Sequence, residues 1–481
     1  TLYAVQRMAQ LAMLFSLGGL ITYLYGRSLL ATDKVRAYLI MTLSLGLFTV
    51  LATLSKENGV LLPMLVGVIE ITVIASRGGK LPAPDRRWSI VFLAIPSVFV
   101  ISYLAYRFFT VDFLEIAGAR DFSLYERLLT QPRVVADYLQ HWFLPKLYTT
   151  GVFQDHVIKS TGLLAPISTL LCALLHVLLI VLAFVKRRQL PLFAFAVLFF
   201  YANHLLESTT LNLELYFEHR NYMAASFLFL PLIVLARDKL GRQMGLLIVG
   251  AMLLALTGFT RFSATVWSDY DGMVAASARK APTSARAQAE LAVILFNTGR
   301  YEQSLRVMDR AIDNIPTNSP LLLLNRLIIR CNLRVLQPQE LDASVSALLS
   351  RAYDPRYLKH YTDLMHAISE DRCPGVATEQ LRSLFVQMLQ NPANTRPGSL
   401  ELSHIKYLAG SVELQAGDSD RAVARFLESL AENPDSGSAM TMAALLASAG
   451  YSDEALLLSD LALEHLEAES RGVRLGMKVT E

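Results

Sequence analysis

Apolar residues fill the first half of this chain in long blocks rather than in short amphipathic periods. Eight stretches stand out: 8–26, 37–54, 59–76, 89–109, 162–185, 190–206, 222–236 and 244–260. A membrane helix needs about 20 mostly apolar residues to cross a hydrocarbon layer of about 30 Å, and these runs meet or approach that length. The seventh is short and relies on its flanks. Buried core helices imitate one or two such runs, but eight in succession with clipped charged connectors point to a polytopic membrane bundle. Past residue 260 the pattern becomes an amphipathic helical period broken by Gly and Pro. The expected fold class is therefore all-α: a polytopic membrane helix bundle over 1–260 and a soluble helical repeat domain over 261–481.

Charge sharpens this division. The first 260 residues hold 22 Lys/Arg and 14 Asp/Glu, whereas the remainder holds 22 and 27. The basic excess sits beside apolar spans, which argues against nucleic-acid binding. Arg27, Lys34 and Arg36 lie between the first two spans, and Arg77, Lys80, Arg86 and Arg87 between the third and fourth. Lys186, Arg187 and Arg188 follow the fifth, and Arg237, Lys239 and Arg242 follow the seventh. By the positive-inside rule these connectors face the cytoplasm. Residues 55–59, 110–161, 207–221 and everything beyond 260 then face the opposite side, as does Thr1. A first span that starts outside leads us to expect a further span upstream. Cys331 and Cys373 could pair only if the repeat domain meets an oxidising compartment; Cys172 reads as a small hydrophobe.

Self-similarity begins after residue 282. Pro282 and Pro316 are separated by the tetratricopeptide period, with Ala292, Gly299, Tyr301, Ser304, Met308 and Ala311 between them. Gly417 opens a second match, with Gly410, Ala422, Phe426 and Pro434 at related offsets. Gly450 opens a third, with Ala443, Ala455 and Ala462. Small residues at these positions let paired helices approach closely. The stretch 320–400 is helical by pattern, with its repeats irregular or lost. Such arrays present a surface to a protein or peptide partner; a passive cap on the membrane domain is the blander reading.

Ionisable groups at membrane depth are costly, so each is a functional candidate. Ser55-Lys56-Glu57-Asn58-Gly59 forms a tight turn in which Lys56 could bind phosphate and Glu57 could orient a sugar or the lysine. His204-Leu-Leu-Glu207 is followed by Glu214 and by Glu218-His219-Arg220-Asn221-Tyr222. If that segment is helical, Glu207, Glu214 and Glu218 share one face and call for cations, donors or a metal. A divalent ion could sit there, although no spacing is diagnostic. Arg220 offers a planar fork for phosphate, and His219 could donate to it or shuttle a proton. Gln6-Arg7 starts the first span and could complete a cationic pocket, while Glu70 is expected to pair locally. In the loop 110–161, apolar residues from Leu128 to Trp142 recur at helical spacing with Arg127, Arg133 and Lys146 on other faces. That pattern fits a helix at the membrane surface or a packed loop helix.

Taken with Val5-Gln6-Arg7-Met8, Asp137-Tyr138-Leu139 and Pro145, the Ser-Lys-Glu-Asn-Gly, His-Leu-Leu-Glu-Ser-Thr and Glu-His-Arg-Asn-Tyr strings resemble a known group. The chain is similar to bacterial multispanning glycosyltransferases of the GT-C type with C-terminal tetratricopeptide repeats, relatives of the tetratricopeptide-containing protein O-mannosyltransferases. The resemblance implies transfer of a sugar from a polyprenyl-phosphate carrier to an acceptor, such as a protein, on the periplasmic face of the bacterial inner membrane. It also implies a catalytic acidic residue upstream of Thr1, so none is assigned here. The binding residues expected are Arg7, Lys56, Glu57, Asn58, Glu207, Glu214, Glu218, His219, Arg220, Asn221 and Tyr222. Partners are the lipid-linked sugar, membrane lipid and a protein or peptide on the repeats. The competing class is a non-enzymatic membrane scaffold that gathers an envelope complex. Its discriminator is whether the charged clusters converge around one groove.

Overall fold

The computed structural model describes residues 7–77, 82–110, 122–144, 151–211, 213–315 and 319–479. Val5, Gln6, Lys80, Pro145, Lys146 and Pro316 lie outside them. The described residues are helical with no strand, and the chain divides into two units, Thr1–Met273 and Val274–Glu481.

The first unit opens with α1 (Arg7–Ser28) and α2 (Lys34–Ser55), an antiparallel pair. Gly19 lets them close: a Cβ there would meet Leu62 and Phe48 side chains within 3 Å, and the Ser44 hydroxyl donates to the Gly19 carbonyl at 2.6 Å. Small residues at such crossings let the two backbones approach closely. Then follow α3 (Glu57–Ile74) and α4 (Arg86–Thr110), α5 (Leu124–Phe143), α6 (Ser168–Lys186), α7 (Pro191–His204) and α8 (Leu230–Trp267). The α2–α3 turn depends on Gly59, where a Cβ would lie 2.1 Å from the Ala52 carbonyl carbon. Asp33 caps α2 by accepting from the Arg36 N–H at 3.0 Å. Glu70 pairs locally, accepting from Arg27 Nε and from the Tyr23 hydroxyl, each at 2.8 Å. That pair marks the end of α1–α3 remote from the Lys56 turn.

The eight expected spans become six among the described residues. Helices long and apolar enough to cross a membrane are Arg7–Ala31, Lys34–Ser55, Glu57–Ile74, Arg86–Thr110, Ser168–Lys186 and Gln243–Trp267. The sixth run, 190–206, forms only the shorter apolar helix α7, Pro191–His204. The seventh, 222–236, is not one helix. Short helical turns end at Phe227, Pro231 sits in the first turn of α8, where its missing N–H costs nothing, and Gly241 breaks α8 at φ 78° and ψ 166°. Composition alone could not separate a continuous span from these pieces.

The second unit is a row of helix pairs. After α9 (Tyr270–Lys280) come α10 (Ala285–Asn297) with α11 (Tyr301–Asn314), α12 (Pro320–Asn332) with α13 (Pro338–Leu349), and α14 (Leu358–Ser369) with α15 (Thr378–Gln390). The row ends with α16 (Leu400–Gln415) and α17 (Ser419–Glu432), then α18 (Ser436–Ser448) and α19 (Ser452–Val479). Gly299, Gly417 and Gly450 take φ of 75°, 83° and 90° at the turn inside their pairs, a conformation that L side chains resist. Gly410 lets α16 meet α17, since a Cβ there would lie 2.7 Å from the Phe426 ring. Of the two readings for 320–400, repeats irregular or lost, the helices follow the first: pairing persists there. Two pairs there keep a shared core around Leu324, Leu364, Phe385 and Leu408, and longer connectors hide the period. Cys331 and Cys373 are joined by a disulfide, with Cα atoms 4.4 Å apart.

Candidate functional site

The site grows from the α2–α3 turn. Lys56 is extended, at φ −160° and ψ 144°, so its side chain leaves the helix axis and turns inward, where it is 92% buried. Its Nζ donates to Glu207 Oε1 in a buried ion pair. Arg220 comes to the other carboxylate oxygen, Nε lying 3.7 Å from Glu207 Oε2. Lys56 and Arg220, far apart in sequence, thus meet on one carboxylate. Two cations and one anion leave a single net positive charge in a site from which water is largely excluded, where charge interactions are strengthened.

A small, open cleft lies over this group. One wall is the α1 face of Ala9, Ala12, Met13 and Ser16; the floor and far wall are Lys56, Asn58, Arg220, His219 and Tyr222. Burial and the neighbouring Lys56 push the His219 pKa down to about 4, so its imidazole is neutral at pH 7. Arg220 is held in place by more than Glu207: Nη2 donates to the Glu214 carbonyl at 2.8 Å and Nη1 to the Leu215 carbonyl at 3.3 Å. Two of its five N–H donors are thus taken by backbone carbonyls, and its charge bears on the cleft that it helps to line. Lys56 has three ammonium donors and is the cation best able to grip an anion directly. Asn221 is buried and its Oδ1 lies 3.3 Å from His204 Nε2.

Other expected members fall elsewhere. Arg7 is exposed at the start of α1, and Glu57 is exposed beside Lys56. Residues 205–211 and 213–217 form turns and irregular backbone, not a helix, so Glu207, Glu214 and Glu218 do not share a helical face. Glu207 is buried, Glu214 half-buried and Glu218 exposed. Among the described residues no group of three or more His, Cys, Asp or Glu side chains is arranged to hold a metal ion. Backbone groups of Glu207, Thr209, Leu213, Leu215 and Phe217, rather than a regular ladder, join this strap to side chains of α5.

Those partners include residues the sequence reading missed. Arg127, read there as lying on a different face from the apolar stripe, is fully buried. It donates from Nε to the Leu213 carbonyl at 2.7 Å and from its two terminal nitrogens to the carbonyls of Thr209 and Glu207. Gln131 donates to the Leu215 carbonyl at 3.0 Å. The Tyr138 hydroxyl donates to the Phe217 carbonyl and accepts from its N–H, both at 2.8 Å, and burial pushes that phenol's pKa up. Arg127, Gln131, Val134 and Tyr138 recur at helical spacing, so polar residues inside an otherwise inward stripe were the available signal. The helix expected at 128–142 is present, but its apolar side packs on protein: Val135 against Phe200 and Leu228, Val134 beside Tyr138 and Tyr216.

A tetratricopeptide-repeat family model matches residues 273–319. That stretch contains the α10–α11 pair. Among curated proteins none matches the chain.

Proposed function

We propose that this protein is a membrane glycosyltransferase that moves a sugar from a polyprenyl-phosphate carrier to an acceptor, such as a protein, on the periplasmic face of the bacterial inner membrane. The observation that carries this reading is the meeting of Lys56 and Arg220 on Glu207 beneath a cleft walled by the apolar helix α1. A lipid phosphate needs this combination: an apolar wall for its chain and a net positive charge for its head. Lys56 would contact the phosphate, and the fixed charge of Arg220 would stabilise the negative charge left on the departing carrier phosphate. Asn58, neutral His219 and Tyr222 offer polar groups to sugar hydroxyls. We assign no catalytic base among the described residues.

Six membrane-length apolar helices and the basic connectors support insertion with the Lys56 turn outside. The Cys331–Cys373 disulfide supports an oxidising compartment for the repeats, whose surface would bind a protein or peptide. The second reading is a membrane scaffold, favoured by the tetratricopeptide match. Membranes carrying the full-length protein, Lys56→Ala or Arg220→Ala are given a radiolabelled polyprenyl-phosphate sugar. Both substitutions are expected to abolish transfer while the protein stays in the membrane. Unchanged transfer in both refutes the assignment of Lys56 and Arg220 as the donor site; a wild type that transfers no more than membranes lacking the protein refutes the enzymatic reading and leaves the scaffold.

A further inference from the structure

We infer that Arg127 is the positioning residue of the cleft: it holds the backbone at Glu207, Thr209 and Leu213 so that Glu207 meets Lys56. The inference deepens the transfer reading and rests on it for its catalytic consequence; the pairing itself can be tested without any transfer.

Among its described residues, 205–211 and 213–217, the strap has no helix or strand of its own, so its carbonyls need outside donors. Arg127 supplies three, to Glu207, Thr209 and Leu213, from a fully buried guanidinium. Glu207 is thereby gripped twice, at its carbonyl by Arg127 and at its carboxylate by Lys56. A planar guanidinium can serve several carbonyls at once in a fixed geometry, and an ammonium is a compact point charge without that fork. Removing the fork takes a donor from the carbonyl of buried Glu207 and from those of half-buried Thr209 and Leu213, so the strap must shift toward water or other donors. Glu207 moves with it and Lys56 loses its partner. Arg133, two turns along the same helix, donates instead to the Ile158 carbonyl at 2.8 Å and has no part in this.

The test is amine-reactive labelling of Lys56 in the full-length protein in detergent, read by mass spectrometry against Lys159 as an internal reference. Arg127→Leu is expected to raise Lys56 labelling about tenfold, the scale of one lost charge-assisted bond; Arg127→Lys restores part of the protection and Arg133→Leu changes nothing. If Arg127→Leu does not fold, Gln131→Leu, which removes one strap bond, and Arg127→Lys carry the test through smaller increases. Labelling that is unchanged in the folded variants overturns the inference. Transfer is assayed in parallel, where Arg127→Lys should raise KM for the lipid donor more than it lowers kcat. A wild-type protein that transfers no sugar defeats the proposed activity, while the Lys56 readout still decides the role of Arg127.

Discussion

Glu207 is the residue whose removal should cost most, and the sign of its coupling to Lys56 follows from charge. The side chains of Glu207, Lys56 and Arg220 are 2%, 6% and 4% exposed. Glu207→Gln leaves two buried cations facing each other without an anion, and breaking a buried pair in this way costs about 3–5 kcal/mol. Lys56→Met instead leaves Arg220 opposite Glu207, a neutral pair, and forfeits a charge-assisted bond worth about 1.5–3 kcal/mol. The double variant leaves Arg220 alone on the Glu214 and Leu215 carbonyls, with the repulsion gone. It should therefore be more stable than Glu207→Gln, although it carries one more substitution. Unfolding in detergent can be followed by tryptophan fluorescence, since Trp142 packs against Phe229 beside the strap. At about 2–4 °C per kcal/mol, Glu207→Gln should melt about 10 °C below wild type. A double variant less stable than Glu207→Gln would refute the charge argument.

Gly59→Ala puts a Cβ against the Ala52 and Thr53 backbone, so the α2–α3 turn must open; membrane-inserted protein yield and Lys56 protection should both fall, and wild-type values for both would contradict the turn geometry. Replacing Cys331 and Cys373 with Ser removes a cross-link spanning a sequence separation of 42, worth about 4 kcal/mol by loop entropy. Calorimetry should show the repeat unit melting lower, with reductant lowering the wild type but not the variant. His219 has a folded-state pKa of about 4, below its usual value. Between about pH 6.5 and 4 the unfolded chain takes up a proton that the folded chain refuses, so stability falls as pH drops through that window. His219→Asn should flatten the fall in a pH series of melting curves; an unchanged slope would remove His219 from the account.

Much of the helical layout was legible locally. The apolar blocks located the six long helices, and the recurring Gly299, Gly417 and Gly450 marked the turns inside three helix pairs. Lys56, Glu207, Arg220 and His219 stood out because charge beside apolar spans is expensive. The irregular strap did not stand out: Glu207, Glu214 and Glu218 have helical spacing, and nothing nearby says that their backbone is bound to α5 instead. Arg127 was missed for a related reason. A buried arginine satisfied by carbonyls and an exposed one have the same sequence spacing, and only its donors' partners tell them apart. The fragmentation of 222–236 was missed, and the persistence of pairs through 320–400 left open, because Pro and Gly punctuate both broken and continuing architectures.

What the sequence determined by itself was therefore the helical identity of most segments and the inventory of costly polar groups, because periodicity, capping and transfer energy act over a few neighbouring residues. The tertiary structure alone decided which groups meet: Lys56 with Glu207 across 151 positions, Arg127 with the strap, Cys331 with Cys373. Those pairings depend on how distant helices pack, and a buried charge or carbonyl takes its partner from whatever that packing brings within reach.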